Sequence, residues 1–501
     1  MANDVGKTLE ELIRVRKEKL TKIQQKKINP FPAKSCKEYL CARVHEIHTE
    51  LVVSAQEICV AGRIMAQRGH GKLIFADIFD ESGKLQILIK EDNLKKDFEI
   101  VKLFDLGDFV EVKGNIFITK SGEVSIEAKK IRILTKSIRP LPSKLGDIKD
   151  EEYKNRHRYL DLLLHPEVRE IFKMKAKFWQ TMRNFLIEKG FLEVETPVLE
   201  TTTGGADASP FLTHHDALDI DVFLRISMGE LWQKRLLVGG FEKTFEIGRQ
   251  FRNEGISREH LQDYSQMEFY WAYANYEDSM DLVEEMYKLL AKEVFGTSKF
   301  EANGHEFDMS KKWERIDYAE ALKEKLEIDI LKASDKELEE KIKELKLEFK
   351  KSDSRGRMMD TLWKSIRTSY AGPAFLINHP VEVSPLAKRK EDNPKLTERY
   401  QVILAGSEIG NGYSELNDPV DQRERFEEQA KLRESGDEEA QMNDEDFVEA
   451  LEYGMPPATG FGTSERMFAF LLDKPIRECV LFPLVRPKNN KSSKKSSPKG
   501  K

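Results

Sequence analysis

The stretch from residue 57 to 135 constrains the fold of this chain more than any other. Five short β-rich runs follow one another there: EICVAGRIMAQ, KLIFADIFD, LQILIK, DFVEVKGNIF and EVSIEAKKIRIL. The turns RGHG, ESGK, LGD and KSGE separate them. Short strands joined by glycine turns predict a small antiparallel barrel.

Five strands in about 80 residues is the size of an OB-fold, a barrel that commonly binds oligonucleotides. Before it, Leu9, Leu12, Ile13, Leu20 and Ile23 recur at helical spacing among charged residues, and Asn29-Pro30-Phe31-Pro32 breaks the pattern. After it, residues 139–165 are charged and punctuated by proline. The expected organisation is therefore a helical extension over 1–50, the barrel over 51–138, a linker or hinge over 139–165, one large domain over 166–487 and a flexible Lys/Ser-rich tail over 488–501. The large domain opens with the helix EIFKMKAKFWQTMRNFLIEK, stopped at Gly190, and the strand FLEVETPVL. The strands FLRIS, TFEIGRQF, QMEFYWAYA, FLINHPV and RYQVILAG follow. Strands adjoin strands more often than they alternate with helices, which favours an antiparallel sheet flanked by helices and an α+β class overall.

Composition narrows the function classes. Acidic residues number 88 and basic ones 82, a formal charge of −6. That balance argues against a general nucleic-acid coat and leaves room for a local basic surface. No apolar run is long enough to span a membrane, and the charged N-terminus lacks the apolar segment of a signal peptide. Cys36, Cys41, Cys59 and Cys479 form no CxxC pair and no zinc spacing, which predicts thiols without a structural role in a reducing, cytoplasmic setting.

Three clusters carry chemistry. In FEIGRQFRNEGISREHLQDYSQMEFY (245–270) a strand, a polar loop and a return strand follow in order. On the return strand Tyr264, Gln266, Glu268 and Tyr270 have one parity and share a face. Burying Glu beside Tyr is costly without a partner, and a cationic ligand offsets that cost. Arg252, Arg258 and His260 at the loop suit a polyphosphate, since arginine pairs with phosphate oxygens in a bidentate fork. In SEIGNGYSELND (407–418) Asn411, Tyr413 and Glu415 alternate on one face. Glu408 lies on the opposite parity, but Gly410 and Gly412 allow a bulge that brings both carboxylates together, as Mg²⁺ bound to phosphates requires. In GMPPATGFGTSERMFAFLL (454–472) Gly460 and Gly462 permit close backbone approach, and a helix then carries Arg466.

These clusters, in this order, resemble the three motifs of the class II aminoacyl-tRNA synthetases. The helix ending at Gly190 with the strand to Pro197 is similar to motif 1, which in that family builds a homodimer interface. Phe251 to Gly255 is similar to motif 2, and Gly460 to Arg466 to motif 3. The barrel points to the subclass with an OB anticodon-binding domain. Within it the chain resembles the lysyl-tRNA synthetases, through RGHGK, RHRYLDLLLHPEVREIF, PFLTHHDALDIDVFLRI, RNEGIS, HPVEVSPLAK and SELNDPVDQRERFEEQ.

The resemblance implies lysyl-adenylate formation from L-lysine and ATP with Mg²⁺, then transfer of lysine to tRNA(Lys) by a cytoplasmic homodimer. It implies that Arg252 bridges the α-phosphate and the lysine carboxylate and that Arg466 holds the far phosphates. Glu254 and His260 seat ATP, and Tyr264 stacks on adenine where the family usually has Phe. Glu408 and Glu415 are implied as metal ligands. Gly205 and Glu230, with Asn411, meet the α-amino group, and Glu268, Tyr270, Tyr413 and Glu415 surround the side chain. In the barrel, Phe75 and Gln86 match positions that read the anticodon, and Arg63 is expected to stack beside them. Taken alone, Phe75 also fits a barrel core and Gln86 an ordinary wet face.

Two departures border the implied site. Gly229 rather than Pro precedes Glu230 in a segment one residue longer, and GFGTSER is one residue shorter than motif 3. They are expected to offset each other in space. Two alternatives stand beside the main reading: a catalytically impaired tRNA-binding homologue and a lysine-modifying paralogue. The intact barrel argues for tRNA, and the presence of Arg252, Glu408 and Glu415 argues for catalysis. An aspartyl or asparaginyl enzyme is disfavoured by the acidic pocket.

Overall fold

The computed structural model describes residues 7–142, 150–206, 208–350, 353–434 and 440–487; the tail expected over 488–501 lies outside them. The chain forms two compact units, Met1–Asp147 and Ile148–Lys501.

In the first unit a helix over Leu9–Gln25 starts at a capping box, with Thr8 and Glu11 each satisfying the other's backbone N–H. The five expected strands are β1 (Glu57–His70), β2 (Leu73–Phe79), β3 (Lys84–Lys90), β4 (Phe109–Ile118) and β5 (Val124–Thr135). They close into a barrel in the order β1-β2-β3-β5-β4. Ile74, Ala76 and Ile78 of β2 fill the interior, while Phe75 and Asp77 turn outward. A bulge between Ile64 and Ala66 lets β1 bend and pair with both β2 and β4.

The expectation of four thiols without a structural role is corrected here. Cys36 and Cys59 form a disulfide, with Cα atoms 5.9 Å apart. The segment before the barrel runs beside β1, bridging Tyr39 to Val60, and this brings together cysteines that are 23 positions apart. Cys41 and Cys479 remain buried thiols, and burial first of all pushes each up to about 12.

In the second unit, part of the stretch expected as a linker is helical, over Glu151–Arg156 and Arg158–Leu164, with a buried Arg158–Asp161 ion pair at 2.7 Å. The long helix Pro166–Glu188 has proline in its first turn and ends before Gly190, whose φ of +85° suits glycine. The strands are β6 (Leu192–Glu193), β7 (Leu199–Glu200), β8 (Phe211–His215), β9 (Ile220–Leu224), β10 (Lys243–Phe251), β11 (Asp263–Ala272), β12 (Lys299–Ala302), β13 (His305–Asp308), β14 (Glu314–Asp317), β15 (Ala374–Ile377), β16 (Arg399–Leu404), β17 (Ser407–Ser414) and β18 (Ala458–Ser464). The main sheet runs β14-β15-β16-β17-β18-β11-β10-β6 and is antiparallel except at β14·β15 and β10·β6. The run FLRIS falls elsewhere: β9 pairs with β7 and β8 in a separate three-stranded sheet.

The central strand β18 divides core from site. Phe461 points into the core, stacked on Tyr400 at 5.8 Å and tilted against Phe269. Gly460 and Gly462 face the other way. A Cβ at 460 would lie 2.4 Å from Glu415 Oε1, and one at 462 would lie 3.0 Å from Glu268. The glycines are the floor on which two acidic side chains rest.

The disulfide generates a stability prediction. Closing a loop of this length stabilises a fold by about 3 kcal/mol in the chain-entropy account. Urea unfolding of the wild type should move to lower urea when a reductant is added, with an unfolding free energy smaller by about that amount. The Cys36→Ser/Cys59→Ser double variant should match the reduced protein and ignore reductant.

Candidate active site

Apart from Arg258, every residue assigned from the sequence to a nucleotide, an amino acid or a metal lines one cavity of about 560 Å³ in the second unit; Arg258, expected to meet a polyphosphate, turns away and pairs with Asp473 at 2.6 Å. Strand β11 contributes Tyr264, Gln266, Glu268 and Tyr270 from one face, and β17 contributes Asn411 and Tyr413, with Glu415 just past its end. Glu408 joins them because β17 is bulged. Val402 pairs with Gly410 and Ile403 with Glu408, so Ile409 is the extra residue and Glu408 falls on the cavity side. The metal assignment turned on that bulge.

One end of the cavity is acidic and aromatic. Glu230, Glu268 and Glu415 are each at most 5 % exposed. Gly205 packs against Glu230, leaving no space for a side chain of its own. Glu230 accepts a hydrogen bond from the Tyr413 hydroxyl and one from Lys234 at 2.6 Å. Lys234, fully buried, also lies 2.5 Å from Glu415. Despite that ion pair, neither oxygen of Glu415 receives an aligned hydrogen bond among the described residues. Glu268 accepts from the Met228 amide at 3.0 Å, the Tyr270 hydroxyl at 3.0 Å and Gln266 Nε2 at 2.6 Å.

Burial, and after it the charge of Glu230, pushes Glu268 up to about 7. Burial is also the main cause that lifts Glu415 to about 8, with Lys234 opposing it. For Lys234 burial disfavours the charge, but Glu230 and Glu415 outweigh it and the ammonium is held above its usual range. Three carboxylates therefore face one ammonium, and the balance is open to further cations.

The other end is basic. Arg252 donates to the Ile226 carbonyl at 3.2 Å, with its guanidinium 6.0 Å from the centre of the Tyr264 ring. Arg466 pairs with Glu259, and its buried Nε has no hydrogen-bond partner among the described residues. His260 Nδ1 lies 2.8 Å from Ser257 Oγ. Burial first, then Arg466, lowers its pKa, so the ring is neutral at pH 7. The Glu254 carbonyl accepts from Gln262 at 3.0 Å. Glu408 accepts from Trp363 Nε1 at 2.9 Å and Gln401 Nε2 at 3.1 Å, with Arg367 at 3.3 Å. Asn411 Oδ1 accepts from Arg399 Nε at 2.9 Å.

Both altered segments keep their charged group at the cavity. Before Glu230, Gly229 has a φ of +68°, and a Cβ there would collide with Thr196. The helix Glu230–Val238 starts there, and Glu230 enters the cavity.

Sequence reasoning missed Lys234, Glu259, Arg367 and Gln250. Lys234 carried a legible signal, one helical turn after Glu230. Gln250 alternates with Arg252 on the strand side and bonds Gln266 at 2.8 Å. Glu259 and Arg367 carried none, since only the tertiary fold brings Glu259 to the cavity and Arg367 to Glu408. His214, under the same scrutiny, bonds Asp221 at 2.9 Å in the β8–β9 hairpin.

In the barrel, Phe75 is half-buried on the outer face, with Arg68 5.9 Å from its ring. Gln86 shares that face through its register with Asp77 but is 4 % exposed and accepts from Ser125 at 3.0 Å. Arg63 stacks on Phe109 at 4.2 Å and donates to the Gly107 carbonyl at 3.2 Å.

Comparison with known proteins agrees with this division. Residues 150–486 match the family described as tRNA synthetases class II (D, K and N), and residues 58–134 match the OB-fold nucleic acid binding domain. A lysine–tRNA ligase of Thermotoga maritima is 45 % identical over 492 residues, covering 96 % of this chain and 97 % of that protein. One of Pelotomaculum thermopropionicum is 43 % identical over 489 residues and 96 % of each chain, and one of Thermosipho africanus is 44 % identical over 487.

The acidic end predicts a pH-dependent stability. A carboxyl whose pKa is raised by folding keeps its proton in the native state after the unfolded chain has lost it. Stability of the ligand-free protein should therefore fall as pH rises from about 4.5 to about 8, the span set by Glu268 and Glu415. Glu268→Gln should flatten that fall and add on the order of 2 kcal/mol at pH 8, read from thermal melts across pH.

Proposed function

This chain belongs to the class II (D, K and N) tRNA synthetases, and on that premise we propose the following reaction for it: it is a lysine–tRNA ligase, driven by ATP. The observation that carries the amino-acid choice is the cavity's acidic end, where Glu230, Glu268 and Glu415 outnumber Lys234. Lysine brings two ammonium groups, each offering three donors. Glu230 beside Gly205, with Asn411, receives the α-ammonium. Glu268, Tyr270, Tyr413 and Glu415 receive the side chain. The side-chain carboxylate of an aspartate substrate would meet repulsion at Glu268 and Glu415.

At the basic end Arg252 holds the lysine carboxylate against the α-phosphate. A carboxylate oxygen attacks that phosphorus, the bond to the β-phosphate oxygen breaks, and pyrophosphate leaves. The 3′ hydroxyl of tRNA(Lys) then attacks the lysyl carbonyl and AMP leaves. The first step needs alignment and charge neutralisation more than a strong base. Arg466 takes the far phosphates, Tyr264 stacks on the base, and Glu254 and neutral His260 seat the nucleotide. The family is ATP-dependent and generally uses Mg²⁺. The residues fit that ion, since Glu408 and Glu415 share one face and Glu415 is buried with oxygens that lack aligned donors. Bound there, Mg²⁺ neutralises phosphate charge.

We assign anticodon reading to the barrel over 51–138, with Phe75 stacking on a base and Arg63 and Gln86 as its neighbours. The chemistry belongs to 166–487. A homodimer is supported by exposed Leu192, Val198 and Leu199 on the segment similar to motif 1, with Leu212 and Phe241. Among the described residues no helix is long and apolar enough to cross a membrane. We place the enzyme in the cytoplasm, where its tRNA substrate is.

ATP–pyrophosphate exchange without tRNA, run with each of the twenty amino acids, should respond to lysine alone; response to aspartate or asparagine would sink the pocket assignment. Glu268→Gln should lower kcat/KM for lysine by roughly 100-fold or more, since it leaves an ammonium without its buried countercharge. Phe75→Ala should leave exchange unchanged while raising the KM for tRNA about 5- to 100-fold, the range for one stacked base.

A further inference from the structure

Arg466 and Glu259 stand in an unusual relation. Arg466 opens the helix Arg466–Leu471 at the basic end of the cavity. Its guanidinium is held by a carboxylate supplied by the loop between β10 and β11. The second interaction of that carboxylate is with the Ser407 hydroxyl, at 3.1 and 3.4 Å to its two oxygens. Ser407 directly precedes Glu408 on β17, so the Glu259 side chain ties the loop to both remaining walls of the basic end. Burial works against ionisation of Glu259, but the Arg466 guanidinium and the Ser407 hydroxyl overcome it and hold the carboxyl below its usual range.

An ionised carboxylate and a phosphate compete for the same arginine fork. Glu259 holds Arg466 through Nη2 alone, so a triphosphate arriving at the guanidinium meets a carboxylate on one of its donors, and the two anions repel. The pair is also only partly buried, with side-chain exposures of 19 % and 24 %, so its rupture is within reach of a bound nucleotide. The neighbouring Arg258 is anchored outward, on Asp473 at 2.6 Å and through its carbonyl to the Ile476 amide at 2.9 Å. Release therefore needs movement of the Glu259 side chain and not of the whole loop.

We propose that Glu259 is an exchangeable counter-ion for Arg466. It occupies the place of the nucleotide's far phosphates in the empty enzyme, gives way to ATP, and returns to Arg466 as pyrophosphate leaves. The residue thereby tunes both entry of ATP and exit of pyrophosphate. The proposal rests on the reading of Arg466 as the far-phosphate ligand.

The experiment is steady-state exchange and aminoacylation with full-length wild type, Glu259→Gln, Glu259→Ala and Arg466→Ala, at fixed saturating lysine and several Mg²⁺ concentrations. Both Glu259 variants should lower the KM for ATP about three- to tenfold and tighten inhibition by pyrophosphate in parallel, as expected for loss of a partly exposed competing ion pair. The KM for lysine, measured alongside, should stay put and shows that each variant is folded. Arg466→Ala should raise the KM for ATP. If Arg466→Ala leaves it unchanged, the reading of Arg466 fails and the proposal falls with it. If Arg466→Ala raises it but neither Glu259 variant lowers it, the counter-ion role alone is overturned. A higher KM for ATP in the Glu259 variants, relieved by extra Mg²⁺, would also overturn it and make Glu259 a cation ligand instead.

Discussion

Lys234 sits fully buried between Glu230 and Glu415, and the rest of the site is arranged around that contact. Moving three carboxylates out of water costs several kcal/mol each, far more than a fold of ordinary stability spares. One ammonium between two of them makes the burial tolerable without making it neutral. What is left over appears as the raised pKa values of Glu268 and Glu415. The aromatic walls sharpen the effect. Tyr270 and Tyr413 exclude water and lend hydroxyl donors to Glu268 and Glu230. The strand beneath is glycine wherever it faces these acids, because any side chain there would displace them. Stability is traded for a vacancy in charge that a diammonium substrate fills.

Much of this was legible in the sequence because strands have a period of two. Parity alone grouped Tyr264, Gln266, Glu268 and Tyr270, and it isolated Glu408 from Glu415 strongly enough to require a bulge. The bulge is present at Ile409. The barrel was legible for the same reason, its runs alternating cleanly between glycine turns. What parity cannot supply is contact between elements far apart in the chain. Glu259 reads as one polar loop residue among several, and Arg367 as a charge on a short helical turn. Both matter only because β17 and the Arg466 helix fold against them. The Cys36–Cys59 bond was hidden likewise, since a separation of 23 matches no cysteine motif and only the parallel bridge at Tyr39 brings the pair together. The run FLRIS misled for a different reason. Its composition suits a strand, but composition does not say which sheet a strand joins, and the first two of the five β9 residues face solvent.

The cavity holds opposite charges at its two ends, as its substrates do. Lysine presents ammonium groups, and ATP presents phosphates. Each end is partly neutralised from within the chain by a group that mimics the absent ligand. At the acidic end the mimic is itself a lysine, Lys234. At the basic end it is a carboxylate, Glu259, paired with Arg466.

The two mimics differ in how firmly they are held, and the difference is physical. Lys234 is 1 % exposed, springs from the middle of a packed helix and contacts two carboxylates, with the ring faces of Tyr413 and Tyr270 within 6.0 Å. Withdrawing it would strand two buried charges, so it stays when substrate binds and its charge is a fixed part of the pocket. Glu259 hangs from a loop, with partial access to water, Arg466 as its ion-pair partner and the charge of Arg367 acting on it more weakly. Withdrawing it strands nothing if a phosphate takes its place. A buried mimic sets the charge against which a substrate is selected, whereas a partly exposed one sets the threshold that a substrate must exceed. The amino acid, which must be chosen among twenty, meets the first kind; the nucleotide, which must enter and leave in every turnover, meets the second.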